Sequence, residues 1–109
     1  MNVPAEITYR GVEKTDALDS DVNSKIAKLE TFCDHISSCR VAIEKAHDHP
    51  SSGSTYRVRL DITVPPSHEL VVDRSPNNGV QYEPLEAVIR HAFDVMQRQL
   101  KELNDRQKG

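Results

Sequence analysis

Tryptophan is absent from this sequence and aromatic residues make up only 5% of it, so the chain lacks the bulk that a large, deep enzyme fold buries. Two helices closing over one small sheet suit such a composition better. Long apolar runs are missing too. None approaches the roughly 18 residues of a membrane span, and the N-terminal MNVPAEITYRG has no basic region leading into an apolar stretch. The expected location is therefore cytoplasmic. Cysteine is scarce, with only Cys33 and Cys39, and in a chain without an export signal both are expected to be reduced. There is no surplus of positive charge: a net charge of −3 weighs against an indiscriminate polyanion binder, although where the positive charges sit matters more than their sum. Gly-rich phosphate loops and dinucleotide fingerprints are also lacking, which makes an enzyme the minority reading and implies no cofactor.

What is present fits one domain spanning the 109 residues, with an ordered core over about residues 5–104. In EITYRG, Ile7 and Tyr9 alternate with Glu6, Thr8 and Arg10, the pattern of a short, half-buried strand ending at Gly11. Thr15 is a good helix N-cap, followed by Asp16 and Asp19 in the first turn. Leu18, Val22, Ile26, Leu29, Cys33 and Ile36 then recur at helical spacing and predict one apolar stripe. A second strand places Cys39, Val41 and Ile43 opposite Arg40, Ala42 and Glu44, and HDHPSSGS reads as the turn that ends it. The third strand alternates most clearly, with Tyr56, Val58, Leu60, Ile62 and Val64 facing inward and Arg57, Arg59 and Asp61 outward. ELVVDR supplies a fourth strand. After the polar loop SPNNGVQYE, Pro84 suits the start of a helix whose stripe runs from Leu85 through Phe93 and Leu100 to Leu103. The expected fold is α+β in the order β-α-β-β-β-α, a four-stranded mixed sheet with two helices packed on one face.

Two thiols and the histidines of HDH, His47 and His49, invite a zinc reading. Structural zinc wants four tetrahedral ligands, usually in closely spaced pairs. Cys33-x5-Cys39 lacks that spacing and both cysteines fall on apolar faces, so they are expected in the core as small hydrophobes. A Cys33–His35 catalytic pair lacks an orienting group and a positive microenvironment. No metal is expected. On the first helix, Lys25 and Lys28 fall along the Phe32 flank of the stripe, with Asp19, Glu30 and Asp34 on the other flank. Charge sorted in this way points to an anionic partner on the lysine side. The second helix interleaves Arg90, Arg98, Lys101 and Lys108 with Asp94, Glu102 and Asp105, for which an exposed Arg90-Asp94-Arg98 ladder is a sufficient explanation. Arg40, Arg57 and Arg59 form a weaker candidate patch, diluted by Glu44 and Asp61.

Taken together and in order, ITYRGVEKTDAL, KIAKLETFCDHISSCRVAIE, YRVRLDITVP and LEAVIRHAFDVMQRQLKEL resemble the ribosome hibernation-promoting factor / ribosome-associated translation inhibitor (sigma-54 modulation protein) family, in its short form. The resemblance covers roughly residues 5–104. It implies a non-enzymatic factor that binds the small ribosomal subunit and its ribosomal RNA in the messenger and transfer RNA channel, inhibiting translation and preserving idle ribosomes under stress or in stationary phase. The positions it matches to RNA-facing basic residues are Lys25, Lys28, Arg98 and Lys101; with Arg90 these make up the candidate set. Phosphate contacts of this kind position a protein without reading bases. Where family members often continue into a lysine-rich run, this chain has Glu102 and Asp105. No membrane or small-molecule partner is implied, and the short form is expected to be a monomer off the ribosome, without a self-association domain. The alternative is a protein-binding adaptor of the same fold that does not act on ribosomes.

Overall fold

The computed structural model describes residues 5–33, 36–49, 53–65, 68–74 and 84–108. The elements follow the expected order: β1 (Ala5–Arg10), α1 (Asp16–Glu30), β2 (Ser38–His49), β3 (Gly53–Val64), β4 (His68–Arg74) and α2 (Leu85–Lys108). They form one four-stranded sheet in the order β1-β2-β3-β4. β1 runs parallel to β2, with Ile7 beside Val41, which is why a helix has to intervene between them. The other pairs are antiparallel, with Val41 opposite Leu60 and Leu60 opposite Val72.

Alternation along the strands sends one set of side chains into the core. Cys39, Val41, Ile43, Val58, Leu60, Ile62 and Val64 are all buried on the face covered by the helices. Val22, Ile26 and Leu29 of α1 and Ile89, Phe93, Met96 and Leu100 of α2 complete a single cluster with them. Leu18, expected in the core as the first residue of the α1 stripe, is half-buried and packs against this cluster. Glu6, Thr8, Arg10, Arg40, Ala42, Arg57 and Arg59 occupy the opposite face.

The start of α1 follows its sequence signals: the Leu18 amide donates to Thr15 Oγ1 at 3.1 Å, and the Asp19 amide donates to the Thr15 carbonyl at 2.9 Å. Its end does not. The apolar spacing predicts a helix running on to Ile36, but α1 stops at Glu30, where the Thr31 hydroxyl donates to the Lys28 carbonyl at 2.6 Å. Cys33 and Ile36 are buried all the same, 4% and 3% exposed. Burial at three- and four-residue steps copied the helical period while the chain was already turning toward β2.

A second difference lies in the β2–β3 hairpin. HDHPSSGS reads as a turn from its first residue, yet β2 runs on to His49, which pairs with Gly53. The register shifts between Lys45 and His47, a bulge that leaves one residue over and lets the ladder continue. Backbone pairing needs no apolar side chain, so the hairpin overrides the turn preference of the residues. Gly11, which closes β1, has φ 68°, and a Cβ there would lie 3.4 Å from Lys45 Cβ. α2 also runs past the end of its apolar stripe, to Lys108.

Candidate nucleic-acid interface

Lys25 and Lys28 line a groove of about 390 Å³ between the two helices, with Arg90 and Gln97 contributed by α2. Leu29 and Phe93, 2% and 4% exposed, belong both to its lining and to the core. The cationic side chains therefore stand on a rigid base. Lys28, in the last turn of α1, also lies where the helix dipole favours a cation. Three of the five candidate residues are thus brought together from two separate elements.

Arg98 and Lys101 are exposed on α2 and do not line the groove. At about 100° per residue, Lys101 falls within about 20° of Arg90, three turns further along the same ridge, whereas Arg98 is turned away by about 80°. Lys101 extends the cationic line and Arg98 points off it. Among the described residues, Arg90, Asp94 and Arg98 form no ion pair within 4 Å, so the expected ladder is not made, and Asp94 instead lines the groove beside Arg90.

The sorting of charge on α1 is less complete than the sequence suggested. Asp21 shares the lysine flank and accepts a hydrogen bond from Lys25 Nζ at 2.9 Å. Four-residue spacing with the acid on the N-terminal side is the favourable order for such a pair, and it was the available signal. On the other flank, Asp19 is absorbed by the fold. Tyr9 Oη donates to Asp19 Oδ1 at 3.1 Å, and Asn23 Nδ2 donates to the Asp19 carbonyl at 2.8 Å. Burial, reinforced by the hydrogen bond and the charge of Asp19, pushes the Tyr9 hydroxyl up to about 12. Asp34 lies outside the described residues.

Both thiols are free and buried. Burial, with the charges of Glu30 and Asp61 adding to it, raises the Cys39 thiol to about 11, away from the range of a reactive thiolate. His35 and the side chains of His47 and His49 lie outside the described residues. Among those that are described, no three His, Cys, Asp or Glu side chains gather to hold a metal ion, and no helix is long and apolar enough to cross a membrane.

Comparison with known proteins completes this picture. No curated protein sequence matches the chain at a significant level. Among solved structures, it is similar to the N-terminal domain of Protein Y from Thermus thermophilus, with a TM-score of 0.70 at 23% identity, covering 94% of this chain and 99% of that one. A ribosomal subunit interface protein from Coxiella burnetii aligns with a TM-score of 0.71 at 14% identity, over 94% of this chain and 99% of its own. At these identities the likeness is one of fold. The sequence model of the sigma 54 modulation protein / S30EA ribosomal protein family matches residues 5–108, nearly the whole chain, and the protein belongs to that family.

Proposed function

We propose that the protein is a non-enzymatic ribosome-associated factor that occupies the messenger and transfer RNA channel of the small subunit, inhibiting translation and preserving idle ribosomes under stress. Family membership supports association with the ribosome, and with it a cytoplasmic setting. One structural observation carries the choice of surface: Lys25, Lys28 and Arg90 converge on one inter-helix groove with a buried apolar base. Such a groove can follow a ribosomal RNA backbone by charge, with Lys101 extending the contact and Arg98 contributing less. Occupancy needs no cofactor and no chemistry. Off the ribosome the protein acts as a monomer, because its edge strands β1 and β4 are short and interrupted by charge at Glu6, Arg10, Glu69 and Asp73.

The test is sedimentation of the purified protein with ribosomes through sucrose gradients over a salt series. The wild type is expected in the small-subunit and 70S fractions at low salt and to be lost steeply as salt rises, since neutralising phosphates releases counterions. A protein that stays at the top of the gradient at every salt concentration supports the adaptor reading instead.

A further inference from the structure

Among the described residues, Asp94 is the one acid in the lining of the helix groove, where the other charged side chains are Lys25, Lys28 and Arg90. A groove that only followed a phosphate backbone would gain nothing from a carboxylate, which repels phosphate. Nor does the fold use it. Arg90 and Arg98 lie four residues to either side of Asp94, at the spacing of a helical ion pair, yet among the described residues neither pairs with it within 4 Å. Asp73 on the outer face of the sheet is the contrast: opposite Arg59 in register, it gives both oxygens to Arg57, whose Nε donates at 3.0 Å and Nη2 at 2.6 Å. Asp21, on the lysine flank of α1, is likewise engaged, by Lys25.

Gln97 stands three residues further along α2 and lines the same groove. It is half-buried, and its side-chain amide makes no hydrogen bond among the described residues. Lys28 and Arg90 have no ion-pair partner within 4 Å among them either. The groove thus sets two free cations beside an unmatched carboxylate and an unmatched amide, above the apolar Leu29 and Phe93.

A nucleotide satisfies such a set at both ends. Its phosphate takes the cations. The carboxylate then calls for two parallel N–H donors on an uncharged group, because Lys25, Lys28 and Arg90 disfavour a further cation such as an arginine from a protein partner. Unpaired guanine offers that pair on its Watson–Crick edge, N1–H and the N2 amino group, much as an arginine fork does. Uracil has a single N–H there, and adenine and cytosine set one amino group beside an acceptor nitrogen that repels a carboxylate. The remaining atom of the guanine edge, O6, accepts a hydrogen bond, which an amide can donate. We infer that the groove selects an unpaired guanine in single-stranded RNA, with Asp94 accepting from N1–H and N2–H, Gln97 donating to O6, and Lys28 and Arg90 holding the adjoining phosphate. The inference rests on the ribosomal RNA reading of this groove and adds a base preference that phosphate contacts do not supply.

Amide chemical-shift titration of the isotope-labelled full chain at low salt tests it with the pentanucleotides UUGUU, UUAUU and UUIUU, where inosine (I) keeps N1–H and O6 but lacks the N2 amino group. UUGUU is expected to shift Asp94 and Gln97 saturably and to bind about tenfold tighter than UUAUU, with UUIUU between them. Asp94→Asn should bring the three affinities to within about twofold of one another without weakening UUAUU, whereas a merely structural role would lower all three together. Lys28→Glu should weaken all three by a similar factor, about fivefold. Each variant's own spectrum reports whether it is folded. Equal affinities with shifts in the groove, or a guanine preference that survives Asp94→Asn, would overturn the inference and leave the ribosomal RNA reading standing. No saturable shift with any of the RNAs, or a groove response to a capped triarginine peptide alone, would overturn both.

Discussion

The helix groove and the outer sheet face both present positive charge, and they differ in what surrounds it. In the groove, Lys25, Lys28 and Arg90 stand above Leu29 and Phe93, with Asp21 and Asp94 as the acids at hand. On the sheet, arginines alternate with carboxylates from neighbouring strands, and Arg57 is held by both Asp73 and Glu44. A charged ridge on a helix contacts few other elements, so Lys28 and Arg90 have no ion-pair partner within 4 Å among the described residues, while Lys25 is held by Asp21 of its own helix. A sheet face puts its cations within reach of neighbouring strands, on one side for Arg10 at the edge and on both for Arg40, Arg57 and Arg59, so most of its charge is matched internally and only the remainder can recognise anything. Local charge counts mean little until cross-strand register is known.

The comparison is broken most severely from beneath. Leu100 is fully buried in the core below α2, and Leu100→Ala is expected to cost about 2–5 kcal/mol in denaturant unfolding, displacing the second wall of the groove. An unchanged midpoint would remove Leu100 from the core. A more selective change is the Lys25→Glu/Lys28→Glu double variant. It is expected to weaken ribosome co-sedimentation by about 10- to 100-fold at low salt, while unfolding stability falls by about 1 kcal/mol or less per site, because the change breaks the part-buried Lys25–Asp21 pair and puts an acid in the last turn of α1. Equal sedimentation of variant and wild type would exclude the groove. Smaller again is the expected effect of Arg98→Glu, about threefold or less, because Arg98 is turned off the ridge; a loss as large as that of the double lysine variant would show that the contact wraps onto the outer side of α2.

Titration separates the interior from the sheet face. Cys39 and Tyr9 have folded-state values raised from 9.0 to about 11 and from 10.0 to about 12. Their contribution is fully present below the unfolded values and lost as pH climbs through the folded ones, so thermal unfolding should move to lower temperature from about pH 9 upward. Cys39→Ala should remove the earlier part of that decline. Asp73 behaves in the opposite sense. Its value is depressed from 3.8 by the Arg57 hydrogen bonds, so its contribution is present above that pH and lost as pH falls through the lower folded value. Asp73→Asn should flatten this acid limb slightly, the smallest effect expected here because the pair is partly exposed.

Much of this was legible beforehand. The strand faces, the order of elements, the Thr15 cap and the core positions of Cys33 and Cys39 all follow from alternation and spacing, because burial acts directly on side-chain identity. The end of α1 was not legible, since Leu29, Cys33 and Ile36 remain buried at helical intervals after the helix has stopped. Nor was the length of the β2–β3 hairpin, where backbone pairing outweighs the turn preference of HDHPSSGS. Of the candidate residues, Lys25 and Lys28 could be grouped from their own helix. Arg90 could not be joined to them, nor Arg98 set apart from them, until α2 was laid beside α1.

By itself, then, the sequence determined which residues enter the core, which elements they build and which family pattern the chain carries. Period-two and period-3.6 burial are local properties, written in the spacing of apolar side chains. Only the tertiary structure decided which cations stand together and which remain without a partner. Proximity between Lys25 and Arg90, or the diversion of Asp73 from Arg59 to Arg57, depends on helix packing and strand register that bring together residues far apart along the chain.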